Sequence, residues 1–326
     1  MIAITGASGL IGTHLVERLV NEGVPVVALV RNVSSHFPPG VTVRQADLLD
    51  PLSMETALEG VSTVIHAAAL VSFNPHRAKS IAEVNVDGTR HLVNICLRLG
   101  ILNFIHVSSV AALGRKPGEP VTEEHPWTGL STTDYARSKY LAELEVYRGA
   151  EEGLTVSIIN PSVVLSASQL HRSSAVLFDY VWKERRFYTQ GHLNYVDVRD
   201  VADAVYKLYV QPRPGQKFIL SAGSIPYLDF FQRVADKLKK RPPSIEVPTS
   251  LVSVFGWLEE VRSLVLNREP LVTRQTAAMA ASSFVYDHRK ATEILGIHFR
   301  PIDESISWCC ERYLENVTRT NDKGNL

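Results

Sequence analysis

The apolar run Ile2-Ala3-Ile4 ends at Thr5-Gly6, and glycine recurs at positions 9 and 12, just before a stretch in which Ile11, Leu15 and Leu19 repeat every fourth residue. A strand that stops abruptly and turns straight into a helix has few ways to fold. Each glycine removes a Cβ where one would obstruct: at the sharp turn, at the close approach of a ligand to the backbone, and where the helix packs on its strand. The helix N-terminus then offers free N–H groups and the positive end of its dipole, a ready anion site for phosphates. The spacing leaves two residues between Gly6 and Gly9, where the G-x-G-x-x-G dinucleotide fingerprint has one. A strand–turn–helix with glycines kept only for packing is the plainer alternative.

The rhythm that opens there continues. Short apolar runs at Val24–Val30, Val41–Arg44, Thr63–His66, Phe104–Val107 and Val156–Ile159 read as strands covered on both faces. Helical patterns lie between them, one marked by Ala82, Val86, Thr89, Leu92, Val93 and Cys96, another by Leu141, Leu144 and Val146. Alternation of this kind predicts an α/β fold, a doubly wound parallel sheet of the Rossmann type. After Ile159 the pattern loosens. Residues 1–164 with about 194–221 are expected to form the dinucleotide-binding domain, with Tyr195–Leu208 and Lys217–Leu220 returning to its sheet. About 165–193 and 222–318 are expected to form a smaller, mostly helical C-terminal substrate-binding region, and 319–326 a frayed tail.

Composition excludes several classes. The 326 residues carry 34 basic and 34 acidic side chains, so the basic excess of a nucleic-acid binder is missing. Three cysteines, two of them adjacent (Cys309 and Cys310), make no disulfide framework and suit a reduced, cytoplasmic setting. Met1 leads directly into the first strand, so no secretory leader is expected, and no apolar run reaches the ~18 residues of a membrane span. No cluster of Cys, His or carboxylates has metal-ligand spacing; His66 and His106, in apolar strands, read as packing residues. The apolar stretch Leu251–Leu266 reads as small-domain core, with a dimer or membrane-surface face as the alternative.

Three further positions carry chemistry. Arg31 follows the second strand, about 20 residues beyond Gly12, where an acidic residue would bind a ribose 2′-hydroxyl and repel a 2′-phosphate. A guanidinium there favours NADP(H), with NAD(H) as the alternative, and Ser34 and Ser35 are candidate helpers. Tyr135 and Lys139 stand at i and i+4, on one face of a helix. A nearby ammonium favours the phenolate, which brings a tyrosine into range for proton exchange with a carbinol oxygen. Ser109 closes the fifth strand, at the sheet edge where ligands of such folds bind, and can hold that oxygen.

Together these residues resemble the extended short-chain dehydrogenase/reductase family, also called the NAD-dependent epimerase/dehydratase family, over nearly the whole chain. Thr5–Gly12, with Gly6, Ser8, Gly9, Leu10, Ile11 and Gly12, is similar to that family's T-G-x-x-G-x-x-G turn. The resemblance implies adenine contacts from Asp47 and Leu48, a strand-four turn along the cofactor at Ala67, Ala68 and Ala69 after His66, and the N-x-x-G-T motif at Asn85–Thr89. It implies a catalytic triad of Ser109, Tyr135 and Lys139, cofactor contacts from Val107, Tyr135 and Lys139, and a nicotinamide border at Asn160–Val164 that includes Pro161 and Val164. Tyr195–Ala202 resembles a late structural segment. Within the family the chain is most similar to the dihydroflavonol-4-reductase-like branch, on Val107–Ala111, Arg268-Glu269-Pro270 and Tyr286–Gly296. The family's dimer helices correspond to segments near Ala82–Leu99 and Thr133–Arg148, which implies a homodimer.

Ser109 is followed by Val110-Ala111 rather than Asp-Glu, which argues against sugar-nucleotide dehydration; Leu165–Ser168 replaces the frequent Tyr-Gly-Pro. Val71, Phe73, Trp127, Leu165, Tyr180, Phe187 and Tyr188 are expected to line an apolar substrate pocket, with Arg172, Lys183, Arg185 and Arg186 available to a diphosphate. The expected function is an NADPH-dependent reductase or alcohol dehydrogenase acting on a small, largely apolar molecule. The alternatives are a nucleotide-sugar epimerase with tightly bound NAD, and a cofactor-sensing protein without catalysis. Retention of both Tyr135 and Lys139 speaks against the cofactor-sensing protein, and Arg31 against the epimerase.

Overall fold

β1 (Ile2–Thr5) pairs with β2 (Val26–Val30) on one side and with β4 (Thr63–His66) on the other. Beyond β2 lies β3 (Thr42–Gln45), and beyond β4 come β5 (Asn103–Val107), β6 (Thr155–Pro161) and β10 (Gln216–Leu220). All six pairings are parallel. The order reverses between β1 and β4, which makes the carboxyl ends of these strands the ligand-binding edge of such a sheet. β1, β2 and β4 are buried along their whole length, as their continuous apolar runs require. The computed structural model describes residues 1–33, 36–116, 118–129, 133–167, 174–248 and 284–324.

The helices begin and end where local chemistry dictates. α1 (Leu10–Asn21) starts at Gly9 without a side-chain cap. α2 (Pro51–Ala57) starts on Asp50, whose carboxylate accepts from the Leu52 and Ser53 amides, with proline in the first turn. α3 (Ala78–Ala82) runs through a π-helical turn, Glu83–Asp87, into α4 (Gly88–Leu99), which ends on Gly100 in the left-handed conformation. α5 (Asp134–Glu151) is capped by Thr133, whose hydroxyl accepts from the Ala136 amide at 3.0 Å. Leu92, Val93 and Cys96 of α4 and Val146 of α5 share a buried core with Val27, Phe104 and Val156 of the sheet.

The chain divides into two compact units. The first comprises Met1–Ser162, Arg199–Leu220 and Asp287–Ile297; the second comprises Val163–Val198, Ser221–Tyr286 and His298–Leu326. Asp287–Ile297, counted above with the substrate-binding region, packs with the first unit: α9 (Arg289–Leu295) ends where Lys207 Nζ reaches the carbonyls of Leu295 (2.9 Å) and Gly296 (2.6 Å).

The second unit holds more strand than the sequence pattern suggests. β9 (His192–Asp197) does not rejoin the large sheet as expected for Tyr195–Leu208. It pairs with β7 (Val163–Leu165) and β11 (Gly223–Pro226) in a separate three-stranded sheet, because Leu193 and Tyr195 belong to this unit's core beside Phe178, Phe230 and Tyr313. β8 (Phe187–Thr189) and β12 (Ile245–Val247) form a two-stranded ribbon. α10 (Ile302–Gly324) carries the helix into the segment expected to be a frayed tail. Cys309 and Cys310 are buried in α10, and all three cysteines are free thiols. The segments 251–266 and 268–270 lie outside the described residues. Among the described residues no helix is long and apolar enough to cross a membrane.

Candidate active site

The turn after β1 is shaped by backbone that leaves no space for side chains. Gly6 has φ of 67°, and a Cβ on it would lie 2.7 Å from Ala68 Cα. A Cβ on Gly12 would lie 2.0 Å from the Gly6 carbonyl oxygen, and one on Gly9 3.0 Å from the same atom. Ser8 is exposed at the tip, and Leu10 and Ile11 are half-buried in the first turn of α1. With no side chain capping Gly9, the first amides of α1 point outward without intrahelical acceptors. This cradle fits the pyrophosphate of a dinucleotide: it is bare, amide-lined and at the positive end of a helix.

Neighbouring strands bring their ends to the same edge. Thr5 is in register with Leu29 and with His66, so Arg31 and Ala67 both emerge just beyond the glycine turn. Ala67 and Ala68 are tied to Thr5, by Ala67 N–H to the Thr5 carbonyl (3.3 Å) and Ala68 N–H to Thr5 Oγ1 (3.2 Å); Ala69 is exposed. Arg31 is exposed, its carbonyl accepting from Gln45 Nε2 at 3.1 Å. Ser34, Ser35 and Arg172 lie outside the described residues. Asp47 is half-buried and turns its carboxylate to the Leu49 amide (2.9 Å). Leu48 is buried against Gly88, where a Cβ would come within 3.0 Å of the leucine.

Tyr135 sits in the first turn of α5, and its phenol lies near Ser109, which follows β5. Ser109 Oγ accepts from the Ala111 amide at 3.1 Å, which fixes its rotamer. Phe73 sets its ring edge against Tyr135, centroids 5.9 Å apart. Lys139 is buried, and its Nζ donates to the Val107 carbonyl at 2.9 Å. Ser109, Tyr135, Lys139 and Val107 are thus brought together. Burial raises the Tyr135 phenol above its ordinary value, and the nearby Ser109 hydroxyl opposes that rise. This corrects the expectation that Lys139 lowers it: the ammonium is turned to the Val107 carbonyl, and the dominant influence on the phenol is loss of water. Burial lowers Lys139 itself to about 8, with the Glu143 carboxylate pulling the other way.

Asn85, expected to contact the cofactor, also joins two segments of the site. Its Oδ1 accepts from the Leu70 amide (2.7 Å), while its Nδ2 donates to the Leu70 carbonyl (3.0 Å) and to Ser138 Oγ (2.9 Å). Ser138 in turn donates to the Tyr135 carbonyl at 2.7 Å, so Asn85 joins the loop after β4 to the tyrosine's helix turn. Thr89 spends its one hydroxyl proton on the Asn85 carbonyl (2.6 Å); His66 therefore donates from Nε2 to Thr89 (2.9 Å) and accepts at Nδ1 from Thr5 (2.7 Å). Burial lowers His66 to about 3 and His106 well below its ordinary value, so both rings are neutral. Pro161 is buried at the end of β6, and Val164 lies on β7 in the second unit.

The residues expected to line the pocket make these contacts. Leu165 is buried in the second unit's core rather than available to a ligand. Trp127 stacks on Tyr140 at 4.7 Å, Tyr180 donates to the Phe187 carbonyl, and Lys183 pairs with Asp179. Sequence reasoning missed Glu143, and it named Asn160 only as part of a nicotinamide border, without the bonds it makes. Buried Glu143 accepts from Ser108 Oγ (2.5 Å) and Asn160 Nδ2 (2.6 Å), and Asn160 Nδ2 also reaches the Ser109 carbonyl (3.0 Å). The signal was present: Glu143 follows Lys139 by four residues, on the same helix face. Among the described residues no group of three or more His, Cys, Asp or Glu could hold a metal ion.

A Rossmann sheet with this edge defines a class of nucleotide-dependent enzymes. A model of the NAD dependent epimerase/dehydratase family matches residues 2–221, and the chain belongs to that family; it is an NAD(P)-dependent enzyme of the oxidoreductase and epimerase kind. It is 29% identical over 265 residues to sterol demethylase protein B of Methylococcus capsulatus, covering 79% of this chain and 80% of that protein. It is 28% identical over 276 residues to cinnamoyl-CoA reductase 1 of Petunia hybrida, covering 78% and 81%. The crystal structure of gox2253 superimposes with a TM-score of 0.83 at 29% identity, covering 97% of this chain and 98% of that one.

Proposed function

We propose that the chain is an NADPH-dependent reductase, acting on a carbonyl of a small, largely apolar substrate. The observation that carries the reading is the placement of Ser109, its hydroxyl fixed by the Ala111 amide, beside the Tyr135 phenol at the carboxyl edge of the sheet, with buried Lys139 one helix turn away on the Val107 carbonyl. The cofactor, when bound, supplies hydride to the carbonyl carbon. Ser109 holds the carbonyl oxygen by its hydroxyl. Tyr135, kept protonated by burial, gives its phenolic proton to that oxygen as negative charge develops there. Lys139, held on the Val107 carbonyl one helix turn away, would hold the nicotinamide ribose. The glycine turn would hold the pyrophosphate, and exposed Arg31 would meet a 2′-phosphate.

The apolar substrate class is supported by Phe73 at the edge of Tyr135 and by the names of the relatives, which include a sterol demethylase protein and cinnamoyl-CoA reductases. In this reading the second unit binds substrate and two chains form a homodimer in the cytoplasm. The test is a screen of cyclic and aromatic ketones, aldehydes and thioesters against UDP-sugars, following NADPH absorbance and sugar isomerisation. Oxidation of NADPH by an apolar carbonyl supports the reading; epimerisation of a UDP-sugar with no net NADPH consumption overturns it.

A further inference from the structure

We propose that Glu143 is a positioning residue, the buried counter-charge that keeps Lys139 cationic while clamping the end of β5 that carries Ser109. The inference rests on the catalytic reading of Lys139 given above.

Glu143 and Lys139 lie one turn apart on the inward face of α5, each no more than 2% exposed. An isolated buried carboxylate is costly, so its partners identify its task. One oxygen, Oε1, takes both hydrogen bonds, from Ser108 Oγ and Asn160 Nδ2. Ser108 precedes Ser109 in the chain, and the same Asn160 amide grips the Ser109 carbonyl. Asn160 stands on β6, so Glu143 ties the helix of Tyr135 and Lys139 to the ends of two strands. A residue needed only for cohesion could be neutral: a glutamine offers the same acceptor oxygen. Burial pushes the Glu143 carboxyl up, and its hydrogen bonds, together with the Lys217 and Lys139 ammonium groups, oppose that rise; of the two cations, Lys139 is the one that belongs to the site. Burial works against its ammonium, and the opposing influence on it is Glu143. The other titratable groups facing this pair are His66 and His106 from β4 and β5, both neutral, Tyr135 and Tyr147 from α5, and Lys217 from β10, whose charge acts on Glu143.

Glu143→Gln keeps the acceptor and removes the charge. In the pH profile of turnover, the alkaline limb should move down by about one unit or more, the usual effect of an opposite charge on a buried neighbour. Relative to its own rate at pH 6, the variant should be about fivefold slower than the native enzyme at pH 8 for a shift of about one unit. Glu143→Asp, which keeps the charge, should return the limb toward its native position. A uniform loss at every pH with an unmoved limb would overturn the proposal. A second readout needs no turnover: melting temperatures of Glu143→Gln, Lys139→Met and the double variant at pH 7. The two single losses should exceed the double loss in sum, because each single change strands a buried charge or donor set. If Glu143→Gln fails to fold, the double variant should recover folding; a double variant equally unfolded, or strict additivity among folded variants, overturns the pairing. Tyr135→Phe is assayed alongside. Full turnover there condemns the catalytic reading itself, while the melting cycle still judges the pairing.

Discussion

The ammonium of Lys139 donates to the carbonyl of Val107 at 2.9 Å, fastening the middle of α5 to the last residue of β5. That bond holds a buried cation one helix turn from Tyr135 and two residues from Ser109, on a strand that cannot shift without moving the sheet. Rigid elements therefore hold the candidate site, and each can be tested.

Lys139 should leave a mark on stability. Its folded value is lowered from 10.5 to about 8, so between those limits the unfolded chain binds a proton the folded chain has released. A depressed folded value means that stability rises as pH climbs from about 8 toward 10.5 and is lost as pH falls back through that window. Urea titrations across this range should show the rise, and Lys139→Met should flatten it. A native profile that falls from pH 8 to 10 and is unchanged by the substitution would contradict the buried cation.

Gly12→Ala places a Cβ 2.0 Å from the Gly6 carbonyl oxygen if nothing moves. The helix start must shift, at a cost of ~1–3 kcal/mol by the usual scale of overpacking. We expect a lower melting temperature and at least tenfold weaker NADPH binding by fluorescence titration. Native values for both would show that the turn does not need its close approach.

Arg31 decides cofactor choice in this account. Losing a charge-assisted contact to a 2′-phosphate should cost ~1.5–3 kcal/mol. Arg31→Ala should therefore weaken NADPH about tenfold or more while leaving NADH nearly untouched. An unchanged ratio of the two dissociation constants would defeat the assignment.

Self-association should use α4 and α5. Leu144 on α5 is 45% exposed and Leu99 at the end of α4 is 37% exposed, apolar side chains that such a contact would cover. Light scattering at micromolar concentration should return twice the chain mass, and Leu144→Arg should halve it. A monomer before mutation would refute this.

The parts of the molecule legible in the sequence are those set by local sterics and spacing. Gly6, Gly9 and Gly12 announce a turn that excludes a Cβ, and the continuous runs of β1, β2 and β4 announce buried parallel strands. Tyr135 and Lys139 needed only helical periodicity. What escaped depends on closure over distance. Glu143 meets Ser108 across 35 residues and Asn160 across 17, and no local pattern encodes either. Asp287–Ile297 was assigned by its position late in the chain, yet Lys207 draws it to the first unit. The direction of the Tyr135 shift was misread because proximity in sequence to Lys139 says nothing about burial, and burial outweighs it.

The central claim is that Tyr135 donates the proton to the substrate oxygen. Tyr135→Phe keeps the ring that meets Phe73 and removes only the hydroxyl. With a working carbonyl substrate and a folded variant confirmed by thermal melting, single-turnover oxidation of bound NADPH measures the step directly. The account predicts a rate lower by roughly 10²–10⁴-fold with NADPH affinity little changed. A rate equal to the native one would mean that the proton comes from another group, and the catalytic role given to Tyr135 would be wrong.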